Sequence, residues 1–244
     1  MDLRISKLTV NRIYYNSPEK CEYNPEINFD NEEIIQAFNF AYDMSFGTKG
    51  EHRDHRSGGT HHRRNGEIFA NAFQGKLAEI GFKRFFEDKY ENKYKLTATD
   101  FSCSKLGTWD SCDFQLGSQL ISIKSTKHYS RLLLLEEKDW DEEGCYIHNK
   151  CKYFMIALVR IGIDIDKILK ENKLLYSDEC KKNELELILQ NIEITCDFPG
   201  YIKHEDLLYI IKNNIKIEKG DFLNKTEMDA SNYYIQAKDL RKWP

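Results

Sequence analysis

Three polar side chains cluster around a glycine-serine pair in this sequence: Asp113, Ser122 and Lys124. Short apolar-rich runs flank Gly117 and Ser118, and this dipeptide suits the two-residue turn of a β-hairpin. In such a hairpin Asp113 lies opposite Ser122, and Lys124 shares their face because side chains alternate along a strand. A carboxylate and an ammonium group on one wall of a hairpin are what metal-dependent hydrolysis of a phosphodiester needs.

The turn also fixes the register of the predicted hairpin. The pairs, counted outward from the turn, are Leu116 with Gln119, Gln115 with Leu120 and Phe114 with Ile121. In this register Phe114, Ile121 and Ile123 point away from the polar trio and into a core. A shift of one residue would rotate Asp113 away from the trio, and Asp110 is the neighbouring rival carboxylate.

The pattern resembles the active-site hairpin of the PD-(D/E)xK nucleases, the superfamily that contains most type II restriction endonucleases. The family pattern is an Asp, a spacer, then an acidic residue, any residue and Lys. Asp113 matches the first position and Lys124 the last. Ser122 stands at the second acidic position, and Cys112 replaces the usual Pro. The resemblance is strongest over residues 66–161.

The resemblance also implies a role for a helix upstream of the hairpin. In PD-(D/E)xK folds a first helix often supplies a Glu to the metal site, and Glu79 lies in a predicted helix over 66–89. Asp113 and Glu79 would then bind Mg²⁺, and Lys124 would position the attacking water. The alternative for Glu79 is an ordinary salt bridge on a helix surface.

Ser122 departs from the family pattern, so the second acidic residue of the metal site must come from elsewhere in the chain. Some restriction endonucleases of this superfamily have Ser at this position and recruit a Glu from a later helix. Glu136 and Glu137 follow Lys124 at a compatible distance, so either could substitute, with Glu136 as the expected metal ligand, and Glu79 could also compensate without them. Ser122 could instead bind a water of the metal shell. An inactivated nuclease fold is the remaining alternative.

Basic residues before the predicted helix and after the catalytic strand suit contact with DNA. Eight of the fourteen residues in 51–64 are His or Arg, around a pair of glycines, which predicts a loop. Arg can fork onto phosphates or guanine, so this loop is expected at the DNA cleft rather than as a merely solvated segment. The expected DNA contacts are Arg53, Arg56, His61, His62, Arg63, Arg64, Lys127, His128 and Arg131.

Two further groups could bind a metal ion, with less support. His52, His55, His61 and His62 could hold zinc, but no Cys accompanies them. Cys145, His148 and Cys151 are suitably spaced but lack an evident fourth ligand, and free Cys residues are often simply buried apolar groups.

The elements around the hairpin predict an α/β fold: a mixed central sheet of about five strands flanked by helices. The chain is expected to form one domain over 1–244. Its restriction-endonuclease-like core would cover 66–161, with an N-terminal elaboration over 1–65 and a C-terminal elaboration over 162–244. Gly75 and Ala78 would let the 66–89 helix approach the sheet closely. The other predicted helices cover 32–44, with Asp30 or Asn31 as cap, and 205–213. The other predicted strands cover 8–15, 95–101, 153–161 and 232–240.

Composition narrows the class of protein. The 244 residues have a net charge of −4 and a pI of about 6.0, which argues against a polycation that coats nucleic acid. The seven Cys are an odd number without paired spacing, which suggests reduced thiols in a cytoplasm. Neither an apolar signal stretch nor a membrane-spanning run is evident.

The sequence therefore predicts a cytoplasmic, Mg²⁺-dependent endonuclease that cuts double-stranded DNA, of the type II restriction kind. Cleavage of both strands of a palindromic site suggests a homodimer. The alternatives are a structure-specific repair or recombination nuclease and a catalytically inactive DNA-binding protein on the same fold.

Overall fold

The computed structural model describes residues 4–16, 19–47, 63–102 and 112–244, and it is an α/β structure. The predicted DNA contacts Arg53, Arg56, His61 and His62, and the rival carboxylate Asp110, lie outside these residues. The helices are α1 (Asn31–Ser45), α2 (Asn65–Lys89), α3 (Ile165–Glu171), α4 (Lys182–Leu189) and α5 (His204–Lys212). The strands are β1 (Val10–Asn11), β2 (Tyr14–Tyr15), β3 (Ile27–Asn28), β4 (Phe114–Leu116), β5 (Gln119–Lys127), β6 (Leu132–Glu136), β7 (Met155–Ile161), β8 (Thr195–Lys203), β9 (Lys216–Ile217), β10 (Phe222–Leu223), β11 (Thr226–Glu227) and β12 (Asn232–Gln236).

A five-stranded mixed sheet in the order β3-β8-β7-β5-β4 forms the centre of the molecule. β5 and β7 are parallel, and the other neighbouring pairs are antiparallel. A three-stranded sheet, β6-β12-β9, and a small four-stranded sheet, β1-β2-β10-β11, complete the β structure of the described chain. The expectation of a mixed sheet of about five strands is confirmed.

The central sheet separates two apolar clusters. On one face, side chains of β5 and β7 pack against α1 and α2 through residues such as Phe69, Phe73, Phe82, Ile121 and Ile123. On the other face they meet the β6-β12-β9 sheet and α5 through residues such as Leu133, Leu135, Ile156, Leu158 and Ile210. Helices therefore cover one face as predicted, but a second sheet provides much of the cover on the other.

The start of α1 follows from its first residues. The Asp30 carboxylate accepts a hydrogen bond from the Glu33 N–H at 2.9 Å, and the Glu33 carboxylate accepts one from the Asp30 N–H at 3.0 Å. This capping box satisfies two backbone donors at the helix terminus. The predicted helices over 32–44, 66–89 and 205–213 are confirmed to within two residues.

Three predicted strands differ in the structure. Residues 8–15 form a small hairpin, β1–β2, rather than one strand, and 232–240 is a strand only as far as Gln236. The segment 95–101 forms no strand, although Thr97 donates its N–H to the Gln115 carbonyl at 3.2 Å. The Gln115 N–H donates a hydrogen bond to the Thr97 hydroxyl at 3.0 Å. A backbone ladder between 95–101 and β4 therefore does not develop.

The three glycines of α2 have different surroundings. A Cβ at Gly66 would lie 2.0 Å from the Leu174 carbonyl oxygen, and one at Gly81 would lie 2.7 Å from the Cys196 sulfur. At Gly75, apart from its chain neighbours and the nearby backbone of α2 itself, no atom of the described residues would lie within 4 Å of a Cβ. Gly75 is therefore not the close-approach glycine that the sequence suggested, and Gly66 and Gly81 serve that purpose.

This contrast predicts opposite effects of alanine in one helix. Gly75→Ala should raise the free energy of unfolding by about 0.5–1 kcal/mol, because glycine is the more costly residue in a helix interior. Gly66→Ala should lower it by about 1–3 kcal/mol, because the new methyl group must displace backbone. Urea unfolding of both variants measures the difference. A destabilised Gly75→Ala variant would contradict the open space around Gly75.

Candidate active site

The predicted hairpin and its register are confirmed. β4 and β5 pair Phe114 with Ile121, Gln115 with Leu120 and Leu116 with Gln119. Gly117 has φ +61°, whereas Ser118 does not have a positive φ, which is the pattern of a type II′ turn. As expected, Phe114, Ile121 and Ile123 lie in the core that faces α2.

Asp113 is fixed against β5 just before β4 begins. Its N–H donates to the Ile121 carbonyl at 3.1 Å, and its carboxylate accepts a hydrogen bond from the Ile123 N–H at 2.6 Å. β4 has three residues and β5 has nine, so the β4–β5 ladder ends before the Ile123 amide is paired. The Asp113 carboxylate satisfies that amide and is held at the edge of the sheet.

Ser122 and Lys124 lie beside this contact, on the face of β5 that is turned away from α2. Ile121 and Ile123 face the α2 cluster, and alternation therefore turns Ser122 and Lys124 toward the other layer. Ser122 is buried, whereas Lys124 is partly exposed. Lys124 follows directly on the residue whose amide binds Asp113, but no ion pair joins these two side chains.

Glu79 and Asp113 line the same cleft. The cleft has a volume of about 290 Å³ and lies between α1, α2 and the start of the hairpin. Its walls are Phe40, Met44, Ala72, Gly75, Lys76, Glu79, Asp100, Ser102, Cys112 and Asp113. The structure thus brings the two predicted metal-binding carboxylates to one place.

A buried ion pair forms one wall of the cleft. The Lys76 ammonium group donates to Glu79 Oε2 at 2.6 Å and to the Asp100 carbonyl at 2.5 Å, and it lies 4.4 Å from the centre of the Phe40 ring. The Lys76 side chain is only 6% exposed. A buried ammonium group is costly without such partners, so Lys76 and Glu79 depend on each other.

Burial raises the pKa of the Glu79 carboxyl to about 7. Lys76 acts in the opposite direction, and the negative charges of Asp113 and Asp100 raise the pKa further. A carboxyl group with a pKa near neutrality in a cleft is typical of functional sites. The Glu79 carboxylate already has a positively charged partner in Lys76.

Sequence reasoning missed Lys76 and Asp100 as members of the cleft. Lys76 precedes Glu79 by three residues, so helical spacing alone places both on one face of α2. Asp100 gave no comparable signal, because it reaches the cleft from an irregular segment.

Glu136 is not among the residues that line the cleft, and neither are Ser122 and Lys124. Glu136 ends β6 in the second sheet, where its carboxylate is 3.7 Å from the Lys138 ammonium group. Burial, together with the charge of Asp139, raises the pKa of Glu136 to about 7. Glu137 is ion-paired with Lys216 at 2.6 Å. The assignment of either residue as the acid missing at Ser122 stays a prediction.

The predicted DNA contacts at the far end of β5 have partners of their own. The Lys127 ammonium group is 2.8 Å from both the Asp164 and the Asp166 carboxylates. Burial acts to lower the pKa of Lys127, but these hydrogen bonds outweigh it and the pKa is raised. Lys127 also lies about 13 Å along β5 from Ile123, at roughly 3.3 Å per residue. Its ammonium group is thus paired with two carboxylates, and Lys127 does not line the cleft.

The other described basic residues also lie away from the cleft. Arg64 caps α2 and pairs with Asp178 at 2.5 Å, about 22 Å along the helix from Glu79 at roughly 1.5 Å per residue. Arg63 precedes it in the chain. His128 packs edge-on against the Tyr23 and Tyr129 rings, and Arg131 precedes β6. None of these residues lines the described cleft.

The described residues bring together few of the donors that a metal ion needs. Within the described ranges, no group of three or more His, Cys, Asp or Glu side chains could hold a metal ion. The predicted group of Cys145, His148 and Cys151 is therefore not arranged as a metal site. Mg²⁺ is usually bound by one or two carboxylates together with waters and substrate phosphates. Glu79 and Asp113 fit this smaller requirement, whereas a closed zinc site does not fit the described chain.

No protein-family model matches the chain, and neither a curated protein nor a solved structure matches it. Among the described residues, the helices include none with the length and apolar character that a bilayer crossing requires.

Proposed function

We propose that this chain is a Mg²⁺-dependent endonuclease that cleaves double-stranded DNA, of the type II restriction kind. The observation that carries the proposal is the position of Asp113. Its carboxylate is hydrogen-bonded to the strand that bears Ser122 and Lys124, and it shares a cleft with Glu79 of α2. Two carboxylates from a hairpin and a helix are the donors that the resemblance assigns to the metal.

The order of elements supports a PD-(D/E)xK core. A long helix, α2, is followed by the β4–β5 hairpin and then by β7, which lies parallel to β5. We propose that these elements, within residues 66–161, form that core. The fold elsewhere in the chain would then be elaboration around it.

In this proposal each side chain of the site has one task. Asp113 and Glu79 would hold Mg²⁺, which would activate a water molecule and neutralise charge on the scissile phosphate. Lys124 would orient the attacking water, a role that rests on the resemblance, because Lys124 follows the Asp113 contact on β5 but does not line the cleft. A role for Ser122 in binding a water of the metal shell has less support, because Ser122 is buried and does not line the cleft.

Binding of a divalent cation should be coupled to the loss of a proton from Glu79. The pKa of Glu79 lies near 7, so below that pH the carboxyl is neutral and must release its proton to become a ligand. The affinity for Mn²⁺ should therefore fall about tenfold per pH unit below pH 7 and level off above it. Calorimetry in buffers of different ionisation enthalpy measures the protons released, expected to be about one per ion at pH 6. Affinity and proton release that do not change between pH 6 and pH 8.5 would contradict the assignment of Glu79.

A second candidate is a DNA-binding protein that has lost catalysis. Ser122 at an acidic position and the lack of an Asp113–Lys124 ion pair favour it. Such a protein would bind duplex DNA equally well with and without Lys124 and would never cut.

The deciding experiment is incubation with a circular plasmid of known sequence in Mg²⁺, in Mn²⁺ and in chelator, followed by mapping of the ends. Discrete fragments that require the metal are the expected result. Cutting of branched DNA alone would favour a structure-specific repair nuclease. No cleavage with either metal overturns the proposal. Light scattering of the DNA complex tests for the homodimer that cleavage of both strands at a palindrome suggests.

A further inference from the structure

β6 stands at one end of the β6-β12-β9 sheet, so only one of its two edges has a neighbouring strand in the described chain. The bonds to β12 extend just beyond both ends of β6. The Ala237 N–H donates to the Arg131 carbonyl at 2.8 Å, and the Glu137 N–H donates to the Ser231 carbonyl at 2.9 Å. These two bonds fix which residues of β6 face β12, because hydrogen-bonded pairs alternate along an antiparallel ladder.

The other edge of β6 has unpaired backbone groups. Counting inward from the bonds at positions 131 and 137, Leu133 and Leu135 are the residues that bond to β12. The N–H and C=O groups of Leu132, Leu134 and Glu136 therefore point away from β12. Within the described residues, no backbone or side-chain group pairs with them. A row of such groups is a template for a further strand.

The side chains of β6 also suit pairing. Leu132, Leu133 and Leu135 are 4%, 0% and 1% exposed, so the strand is held flat between two packed layers, while Leu134 is partly exposed. Proteins often protect an open edge with proline, lysine or a bulge. The sequence of β6 has no proline or lysine, and its register with β12 runs without a shift. This edge is therefore open to an extended partner.

We infer that this edge joins two copies of the chain: β6 of one copy pairs antiparallel with β6 of the second copy about a two-fold axis at Leu134. In this register Leu134 lies opposite Leu134 of the second copy, and Leu132 lies opposite Glu136 of the second copy. The outward groups then face each other. Three residues in each copy, with one N–H and one C=O apiece, supply up to six hydrogen bonds.

The charges at the ends of β6 favour a second copy over an unrelated strand. In the same register Arg131 of each copy lies opposite Glu137 of the other, with Cβ atoms roughly 5 Å apart. Glu137 is paired with Lys216 of its own chain at 2.6 Å, so a second cation would reach an existing ion pair. Two-fold symmetry makes this attraction twice. The edge is therefore complementary to itself.

The same residues select the register. An axis at Glu136 would place two glutamates opposite each other, which costs energy. An axis at Leu132 would leave the outward groups of Leu134 and Glu136 beyond the end of the other β6. Only the axis at Leu134 uses all three outward residues. The result is one sheet across both copies, in the order β9-β12-β6-β6-β12-β9.

The inference rests on the proposed function for the expectation of two copies, and on β6 for the surface that joins them. The test is sedimentation velocity of the full chain from about 1 to 100 µM, which covers the range of a weak to moderate dimer. Leu134→Lys places two like charges at the axis. Leu187→Lys is the matched control, because Leu187 is a 68% exposed leucine of α4 outside this edge. Circular dichroism and thermal unfolding establish that each variant is folded.

Leu134→Cys provides a second measurement that does not depend on a disruptive change. Opposed residues of a hydrogen-bonded pair have Cα atoms roughly 5.5 Å apart, a separation that a disulfide can span. Oxidation with diamide, followed by electrophoresis without reductant, should join two copies of this variant. The parent, treated in the same way, controls for cross-links through its own seven cysteines.

The expected result is a dimeric parent, a dissociation constant raised at least about tenfold in Leu134→Lys, an unchanged Leu187→Lys protein and a cross-link specific to Leu134→Cys. If Leu134→Lys does not fold, the cross-link decides. A parent that is monomeric throughout overturns the inference and leaves the edge to a different partner. A dimer without the cross-link overturns it by placing the contact elsewhere. Plasmid cleavage is scored separately: a dimer that joins through β6 and never cuts overturns only the proposed function.

Discussion

Asp113→Asn should abolish Mg²⁺-dependent cleavage, with kcat/KM reduced by about 10³-fold, if the metal contributes several kcal/mol to transition-state stabilisation. This substitution removes the charge without disturbing the hairpin, because asparagine can still accept the hydrogen bond from the Ile123 N–H. The hairpin should therefore stay folded while a metal-binding charge is removed. Plasmid cleavage at saturating Mg²⁺ gives the rate, and duplex binding in Ca²⁺ shows that the protein is intact.

Asp88→Asn is the matched control, because Asp88 is an exposed carboxylate near the end of α2 and lies outside the cleft. It should cut at the parental rate. Lys124→Ala separates catalysis from binding: it should stop cleavage and leave duplex binding largely unchanged. An Asp113→Asn protein within about tenfold of the parent would remove this carboxylate from the metal site, since a lost ligand costs several kcal/mol.

The second large effect concerns stability and lies in the centre of the sheet. Arg160 of β7 and Asp197 of β8 form an ion pair whose side chains are 1% and 4% exposed. The Arg160 guanidinium group also donates to the carbonyls of Cys21 at 3.0 Å and Glu22 at 2.5 Å, and Asp197 accepts from the Asn24 N–H at 3.0 Å. Arg160→Met should lower the free energy of unfolding by about 3–5 kcal/mol, because it leaves Asp197 buried without its counter-charge.

Urea unfolding monitored by fluorescence measures this loss. The control is Lys167→Met, which breaks the Lys167–Glu171 pair, with side chains 71% and 63% exposed. That exposed pair should contribute less than about 1 kcal/mol. Adding Asp197→Leu to Arg160→Met should recover part of the loss, since no charge then stays buried without a partner. Similar losses for the buried and the exposed pair would mean that water reaches Arg160.

The hairpin and the first helix could be predicted because their signals are local. Gly117 marks the turn, alternation on both sides fixes the register, and Asp30 with Glu33 marks the start of α1. Glu79 could be placed on a helix for the same reason. Its meeting with Asp113 depended on the packing of α2 against the sheet, and only the resemblance suggested it in advance.

The features that sequence reasoning missed depend on contacts between residues far apart in the chain. β8 contains Asp197, Pro199 and Gly200, residues that usually argue against a central strand. Proline is tolerated there because the register with β7 shifts between Leu158 and Arg160, so the ladder needs no N–H donor at position 199. The Asp164 and Asp166 carboxylates that hold Lys127 lie more than thirty positions along the chain from it, and no local pattern pairs them with it.

The position of β6 in the second sheet affects the order in which the chain can fold during synthesis. β6 lies in the connection between the parallel strands β5 and β7, yet its partner in the sheet is β12, about a hundred positions later in the chain. During synthesis, Leu132–Leu135 must therefore wait for residues 232–236 to leave the ribosome before that edge is covered. A nascent chain stalled before this point would present an open apolar strand, the kind of edge on which chaperones act and from which aggregation starts.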